Sequence, residues 1–128
     1  MWGRRRAKSK VAKRLLVRNT TRESILASAA DIADTSAKRQ KGLLAHEVLL
    51  PGQGLWIVPC QGVHTWMMKF PIDVLYLDRR KRVKKVRRTM RAWRLSFCLT
   101  AHSVLELPAG TIERTLTQPG DQLQFDSN

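Results

Sequence analysis

Apolar residues recur along this chain in short runs that are separated by glycine, proline, asparagine or aspartate. Runs of this length with turn residues between them are typical of short β-strands. The pattern predicts strands at residues 15–17, 55–58, 63–68, 72–77, 83–86, 103–107 and 122–125. Residues 24–34 are ambiguous, because their alanines favour a helix while the segment 30–34 alternates like a strand.

Two helices are predicted among these strands. Thr35 or Ser36 can cap a main helix that runs to about residue 46, with apolar residues on its buried side. A short helical turn is predicted after residues 108–110. Together these elements predict an α+β fold: a small β-rich single domain with six or seven short strands in a partly closed barrel or sandwich. We assign this domain to residues 15–128 and a flexible basic tail, poor in apolar residues, to residues 1–14.

The charge of the chain is strongly positive and unevenly distributed. Its 128 residues include 24 Lys and Arg against 10 Asp and Glu, a net charge of +14. Residues 1–18 contain eight basic residues and residues 79–94 contain ten, with no acidic residue in either run. The remainder holds six basic and ten acidic residues, so the basicity belongs to two patches of sequence.

These two basic runs predict an alternative function, which is sequence-independent association with nucleic acid. An anionic membrane face, or a need for solubility, explains the same charges equally well. No familiar DNA- or RNA-binding motif accompanies the runs. The candidate contacts in the second run are Arg79, Arg80, Lys81, Arg82, Lys84, Lys85, Arg87 and Arg88.

The chain shows neither a secretory signal nor an apolar run long enough to span a bilayer. This pattern predicts a cytoplasmic protein. Cys60 and Cys98 are accordingly expected to be free thiols and not a structural disulfide.

Residues 59–78 place a thiol, an imidazole, an ammonium and a carboxylate beside large apolar side chains. Chemically capable groups among core residues indicate a site on a folded scaffold. We predict a partly apolar pocket lined by His64, Trp66, Met68, Asp73 and Glu106. The leading prediction is therefore a ligand-binding or accessory module, more consistent with binding than with catalysis. The cofactor, if any, is unknown, and the partner is an unknown small molecule or protein.

Asp73 has two interpretations, because apolar residues surround its carboxylate on both sides in the sequence. The group can be structural, held by Lys69, Arg94 or backbone amides. Alternatively, the carboxylate can line the pocket and bind a cationic or hydroxylated ligand. Glu106 poses the same question, with Arg39 or Arg94 as its expected partner.

Cysteine and histidine suggest a second alternative, a zinc-binding protein or a hydrolase. Cys60 and His64 are four residues apart, and Cys98 and His102 repeat this spacing, so four zinc ligands are available. Cys60 or Cys98 could instead act as a nucleophile, with His64 as the base and Asp73 as its orienting group. Residues four apart also share one face of a strand-like segment, and free cysteines are usually buried apolar residues, which explains the same positions without chemistry.

One set of residues resembles a known prokaryotic family, the domain of unknown function 192. The matching residues, which follow one another in the order and spacing of the family, are Arg39, Gly42, Leu43, Pro51, Gly52, Gly54, Pro59-Cys60, Val63-His64-Thr65, Met68, Pro71-Ile72-Asp73-Val74, Leu77-Asp78, Trp93-Arg94, Cys98, residues 104–110 and Gly120-Asp121. The resemblance spans about residues 15–125. It implies a compact β-rich fold and a function that has not been assigned.

The chain departs from the family pattern at three places. Leu44 stands where the family usually has Met, and Trp66-Met67 stands where an aromatic residue and Gly are common. The four basic residues 79–82 replace a turn that is more usually acidic or glycine-containing. The second basic run is therefore expected to be a property of this protein and not of the family.

Overall fold

The computed structural model of the protein describes residues 13–43 and 46–127, which contain nine strands and two helices. The strands are β1 (Leu15–Asn19), β2 (Ser24–Ala33), β3 (Gln53–Ile57), β4 (Gly62–His64), β5 (Ile72–Leu77), β6 (Val83–Met90), β7 (Leu95–Phe97), β8 (Ser103–Pro108) and β9 (Leu123–Ser127). The helices are α1 (Ser36–Lys41) and α2 (Thr111–Thr115). No helix in these residues is long and apolar enough to cross a membrane.

Seven strands form one curled sheet in the order β6-β5-β8-β3-β2-β1-β9. All neighbours are antiparallel except β2 and β3, which are parallel. The two edges of the sheet meet at one end, where the Val83 amide donates to the Asp121 carbonyl at 2.8 Å and the Leu123 amide donates to the Lys81 carbonyl at 3.0 Å. The sheet is therefore a half-barrel that is closed at one end only, and β4 and β7 form a separate two-stranded sheet.

Both faces of the central strands are buried. Successive side chains on a strand point to opposite faces, and on β5 they enter two different cores. Leu75 and Leu77 belong to a core shared with Leu15 and Ile112, whereas Tyr76 belongs to a second core on the other face. The second core includes Val63 of β4, so the small sheet covers the outer face of the half-barrel. This burial on both sides explains why β5 is apolar at nearly every position.

The ambiguous segment 24–34 is a strand. Ala27 and Ala30 are fully buried on β2, and β2 pairs with both β1 and β3. Alanine favours a helix by only about a few tenths of a kcal/mol per residue. The hydrogen bonds that β2 forms with a strand on each side outweigh this preference. Small side chains are also needed here, because a Cβ atom added to Gly54 would lie 3.6 Å from the Cβ of Ala27.

Helix α1 begins where predicted and ends earlier than predicted. The hydroxyl of Thr35 accepts a hydrogen bond from the Lys38 amide at 3.2 Å, which caps the first turn. The helix ends at Lys41, because Gly42 adopts a positive φ of 49° that α-helix geometry does not allow. The predicted extension to residue 46 is therefore wrong. Residues 44 and 45 lie outside the described residues, as do residues 1–12 of the predicted basic tail.

Two differences in the strands concern the small sheet. The predicted strand 63–68 ends at His64, because residues 65–68 form a turn that the Met68 amide closes on the Thr65 carbonyl at 3.1 Å. Strand β7 was not predicted, since three residues with one buried position give little pattern to detect. Strands β2 and β7 together raise the number of strands in the described residues to nine, against the expected six or seven.

Asp73 connects three elements through its carboxylate. It is 1% exposed, and its Oδ2 atom accepts hydrogen bonds from the amides of Gly110 at 3.1 Å and Ile112 at 2.8 Å. These are the free amides at the start of α2, whose N-cap, Gly110, has no side chain to satisfy them. Asp73 thus caps a helix whose N-cap, Gly110, lies 37 residues later in the chain.

The other carboxylate oxygen holds a β-bulge in place. Opposite Asp73, strand β6 has one residue more than β5, and the extra residue shifts the register between the two strands. Thr89 in this bulge has a φ of 48°, and its amide donates to Oδ1 of Asp73 at 2.8 Å. A β-branched residue with positive φ is strained. The hydrogen bond to Asp73 helps to keep Thr89 in this conformation.

Asp73→Asn should lower the free energy of unfolding by roughly 3 kcal/mol, because an amide has a single acceptor oxygen and its NH2 group would face a backbone donor. Thermal and urea unfolding near neutral pH measure this loss. Asp34→Asn is the matched control, since Asp34 is exposed. A midpoint for Asp73→Asn as high as that of the parent would contradict the structural role of this carboxylate.

Candidate functional site

A cavity of about 450 Å³ lies between α1, the outer face of the half-barrel and the small sheet. Its size falls within the usual range for small-molecule sites. Three segments supply most of the lining: the end of α1, the chain from β3 to β4, and the chain that follows β7. The lining residues are Arg39, Gln40, Lys41, Gly42, Leu43, Ile57, Pro59, Cys60, Gln61, Gly62, Val63, His64, Met68, Phe97, Leu99 and Glu106.

Glu106 brings a carboxyl group into this otherwise largely apolar region. It lies in the middle of β8, directly opposite Leu55 of β3 and Val74 of β5. Both neighbours belong to the second core, so the alternation of the strands directs Glu106 to the covered face of the sheet. The residue is 5% exposed. A carboxyl group is therefore held at the floor of the cavity by two apolar strands.

The carboxyl group of Glu106 has no hydrogen bond or ion pair with any residue that the structure describes. Buried carboxyl groups normally have such partners. Burial raises its pKa from 4.5 to about 7, because the charged form loses its hydration and gains nothing in exchange. Glu106 therefore stays protonated to a much higher pH than an ordinary glutamate, with its hydrogen-bonding capacity directed at the cavity.

Arg39 lies in the same cavity and does not neutralise Glu106. Its guanidinium group donates to the Val58 carbonyl at 3.5 Å and to the Ser36 hydroxyl at 3.3 Å. The expected ion pair with Glu106 is absent among the described residues, and Arg94 forms none with it either. The cavity therefore has a carboxyl group at its floor and separate cations, Arg39 and Lys41, at the end of α1.

Cys60 is the third titratable group of the cavity wall near Glu106. Its thiol donates to the Gly62 carbonyl at 3.0 Å and is half-buried. Burial is the main cause that raises the pKa of Cys60; the charge of Glu106 raises it further, and the charge of Arg39 acts in the opposite direction. The net rise keeps Cys60 in the thiol form at neutral pH, which is the unreactive form.

Three of the five predicted pocket residues, His64, Met68 and Glu106, line this cavity. Trp66 lies outside the lining and is 46% exposed, with its ring centroid 5.1 Å from that of His64. Asp73 also lies outside, because its carboxylate binds the amides of Thr89, Gly110 and Ile112. Of the two interpretations of Asp73, the geometry corresponds to the structural one, with backbone amides as partners instead of Lys69 or Arg94.

The four candidate zinc ligands do not form a metal centre. In residues 13–43 and 46–127, no three His, Cys, Asp or Glu side chains lie close enough together to share an ion. Cys60 and His102 are neighbours through their backbone, with an N–O distance of 3.0 Å, while the Cys98 thiol lies 3.8 Å from the hydroxyl of Thr100. The hydrolase alternative meets a related difficulty. Burial raises the pKa of the Cys60 thiol, and the carboxylate of Asp73 accepts hydrogen bonds from backbone amides instead of orienting His64.

Sequence reasoning did not assign Lys41, Leu43, Phe97 and Leu99 to the pocket, and it linked Arg39 to the pocket only as an expected partner of Glu106. Arg39 and Lys41 lie about 65 positions from Glu106, and Phe97 and Leu99 belong to or follow the strand that was not predicted. No periodicity indicates that these segments meet. For Leu43, the family match was the only available indication.

The second basic run lies on the edge strand β6 and on the turn before it. The four ion pairs of the described residues are Arg14–Asp31, Arg18–Asp126, Arg22–Asp121 and Lys69–Glu47. None of them uses a residue from 79–94. Lys81 lies over the rings of Trp56 and Phe125, Lys85 donates to the Phe97 carbonyl at 2.6 Å, and Arg82 donates to the Gly120 carbonyl at 3.2 Å.

The other side chains of this run have fewer contacts. Arg79, Arg80, Lys84 and Arg88 are exposed, and their side chains have no hydrogen bond or ion pair with the described part of the chain. Arg87 is half-buried near Tyr76. The run therefore divides into residues that stabilise the fold and residues whose charge faces solvent.

Residues 17–125 match the sequence profile of the domain of unknown function 192 (DUF192), described as "Uncharacterized ACR". The chain belongs to the DUF192 family. No curated protein matches it in sequence. The family description assigns no activity, so the function has to be inferred from the geometry of the site.

Two crystal structures share the fold. A protein of unknown function from Novosphingobium aromaticivorans superposes with a TM-score of 0.75 at 20% identity, over 87% of this chain and 83% of that one. A protein from Sinorhizobium meliloti named a "putative transcription regulator" superposes with a TM-score of 0.74 at 20% identity, over 90% of this chain and 94% of that one. At this level of identity the similarity establishes the DUF192 fold and not a shared activity.

Glu106→Gln should change how stability depends on pH. The folded pKa of about 7 lies above the unfolded value of 4.5, so ionisation of Glu106 destabilises the parent progressively as pH rises from 4.5 through 7. Glutamine cannot ionise. Its advantage should therefore be small at acidic pH and grow to roughly 3 kcal/mol above pH 7, because about 1.36 kcal/mol corresponds to each pKa unit.

Urea unfolding of parent and variant across this pH range measures the difference. Glu113→Gln serves as the control, since Glu113 is an exposed glutamate on α2 and should show no such growth. Parallel stability curves for the parent and Glu106→Gln would mean that a hydrogen bond or an ion pair compensates the charge of Glu106 in the folded protein.

Proposed function

We propose that this DUF192 protein is a small-molecule binding module, with the cavity beside α1 as its site and Glu106 as its main polar contact. The observation that carries the proposal is the buried carboxyl group at the cavity floor, which has no hydrogen-bond or ion-pair partner in residues 13–43 and 46–127. Leaving such a group without a partner costs free energy. A site that is prepared for a ligand carries this cost in the free protein and recovers it on binding.

The surroundings of Glu106 define the class of ligand. The carboxylate favours a protonated amine or another strong hydrogen-bond donor, whereas Leu43, Ile57 and Met68 favour an apolar body next to it. Arg39 and Lys41 at the end of α1 leave room for an acidic group at the other end of the ligand. The proposed ligand is therefore a small amphipathic molecule with a cationic or donor head.

Binding without catalysis accounts for the other groups in the wall. The burial of the Cys60 thiol raises its pKa, so this group is poorly suited to act as a nucleophile. The imidazole of His64 is exposed at the end of β4. An accessory or carrier role requires only selective binding, which the cavity supports.

Primary alkylamines are suitable probes of this proposal. Titration calorimetry should detect binding of hexylamine to the parent, with affinity that increases with chain length by about 0.8 kcal/mol per buried methylene group. Glu106→Gln and Glu106→Leu should weaken this binding at least about tenfold, since the charge-assisted hydrogen bond is absent from both variants. Glu113→Gln should bind like the parent.

The pH dependence provides a second measurement. The carboxylate must be ionised to bind an ammonium group, and the pKa of Glu106 is about 7. Affinity should therefore fall about tenfold per unit as pH decreases below 7, and the dependence should vanish in Glu106→Gln. Equal amine affinity in the parent and Glu106→Gln would exclude Glu106 as the main contact.

Nucleic-acid association is the second candidate function. It is favoured by the exposed charges of Arg79, Arg80, Lys84 and Arg88, which form no ion pair within the described part of the chain. The name of the Sinorhizobium meliloti neighbour points in the same direction. These residues lie on an edge strand and a turn, with no element shaped to enter a groove. Contact would accordingly be to phosphates and independent of sequence.

The double variant Lys84→Glu, Arg88→Glu tests this candidate. Its affinity for a duplex oligonucleotide at low salt should fall at least about tenfold, and the slope of log affinity against log salt should become less steep by about one unit for each phosphate that the variant no longer neutralises. Lys38→Glu with Arg114→Glu changes the net charge equally at exposed positions elsewhere. If both double variants bind equally weakly, net charge and not the β6 surface is responsible.

A further inference from the structure

Six large apolar side chains are exposed on and beside the small sheet. They are Trp66, Met67, Trp93, Leu95, Phe97 and Leu99, and we call them the apolar patch. On β7 the side chains of Leu95 and Phe97 are exposed while Ser96 between them is buried, so the two share the outer face. A contiguous apolar surface of this kind indicates an interaction site.

Thr65 holds the two turns of the patch together. Its buried hydroxyl accepts a hydrogen bond from the Arg94 amide at 2.9 Å and donates to the Arg91 carbonyl. Its carbonyl accepts from the amides of Met68 and Trp93, both at 3.1 Å. Turn 65–68, with Trp66 and Met67, therefore lies beside turn 91–94, with Trp93.

Two of these side chains combine a strained backbone with exposure to solvent. Met67 and Trp93 both have a φ of 64°, in the left-handed region that favours glycine. Their side chains are 71% and 63% exposed, so no packing inside the protein compensates for this conformation. Strained backbone conformations cluster at binding sites.

The charge around the patch is positive. Residues 79–105 contain no acidic residue. Arg91 and Arg94 flank Trp93, are exposed, and have no carboxylate partner among the described residues. Lys85 reaches the patch through its hydrogen bond to the Phe97 carbonyl. Lys69, beside Met68, is a nearby cation that is neutralised, by Glu47 at 2.6 Å.

We propose that the apolar patch docks this protein onto the surface of an anionic lipid membrane, with Trp66, Met67 and Trp93 inserted at the level of the headgroups and Arg91 and Arg94 in contact with lipid phosphates. Tryptophan is enriched at membrane interfaces, and stable peripheral binding combines apolar insertion with basic residues. The aliphatic side chains of Met67, Leu95 and Leu99 distinguish this surface from one that stacks on nucleobases, which is aromatic.

Glycine substitutions separate membrane binding from folding. Met67→Gly and Trp93→Gly remove an exposed apolar side chain and relieve the strained φ at the same time, so each variant should unfold at the same temperature as the parent or higher. Each should bind vesicles of phosphatidylcholine with phosphatidylglycerol about fivefold or more weakly in co-sedimentation. Leu116→Gly is the matched control, since Leu116 has a φ of 57°, is 70% exposed and lies outside the patch. It should leave vesicle binding unchanged.

The charge contribution needs its own variant. Arg91→Glu with Arg94→Glu should reduce binding to anionic vesicles at least about tenfold and bring it to the level seen with pure phosphatidylcholine vesicles. Lys38→Glu with Arg114→Glu, which makes the same change of net charge elsewhere, should have a smaller effect. The fluorescence of Trp66 and Trp93 should shift to the blue when anionic vesicles are added.

Three results would overturn the proposal. The first is vesicle binding that depends on the arginines and not on Met67 or Trp93, which is electrostatic adsorption. The second is a concentration-dependent dimer that Trp93→Gly dissociates, which assigns the patch to a second copy of the chain. The third is an oligonucleotide affinity that the glycine variants reduce while vesicle binding stays intact.

Discussion

The carboxylate of Asp73 is the interaction on which the rest of this structure depends. It receives amides from a bulge in β6 and from the start of α2, two segments with no direct pairing to each other. Buried in a central strand, it caps a helix that has no cap of its own and holds a threonine with positive φ. Three donors compensate the charge for the loss of water. With this arrangement in place, β6 and α2 take fixed positions relative to β5.

The two-sided burial of the central strands explains how a second carboxyl group became available for binding. Strand β8 alternates between two cores, and Glu106 occupies a position where its neighbours Leu55 and Val74 contribute to the second one. Asp73 and Glu106 thus lie on adjacent buried strands but differ in the partners of their carboxyl groups. The first is saturated by backbone amides, whereas the second faces a cavity, and this difference in partners is what separates a structural carboxylate from a candidate site.

The sequence predicted the strands that carry long apolar runs, such as β5 and β8, because burial on two faces leaves a strong local pattern. It also predicted His64, Met68 and Glu106 as pocket residues. Strand β7 and the helix residues of the pocket were missed, since short elements and distant contacts have no local pattern. The role of Asp73 could not be decided for a related reason: its partners are backbone amides, and every residue except proline carries one. The positive φ of Met67, by contrast, agrees with the family pattern, in which glycine is common at this position.

Strand β6 is an edge of the half-barrel, and over most of its length none of the described strands lies along its outer side. An unpaired edge is a template on which a second chain can add a strand. Here the edge carries Lys84, Lys85, Arg87 and Arg88, so two copies that approached edge to edge would bring like charges within a few ångströms. At physiological ionic strength such charges repel over about 8 Å. The same residues that make the protein basic therefore oppose the growth of continuous intermolecular sheets, and concentrated salt, which shortens the range of that repulsion, is the condition in which this protection is weakest.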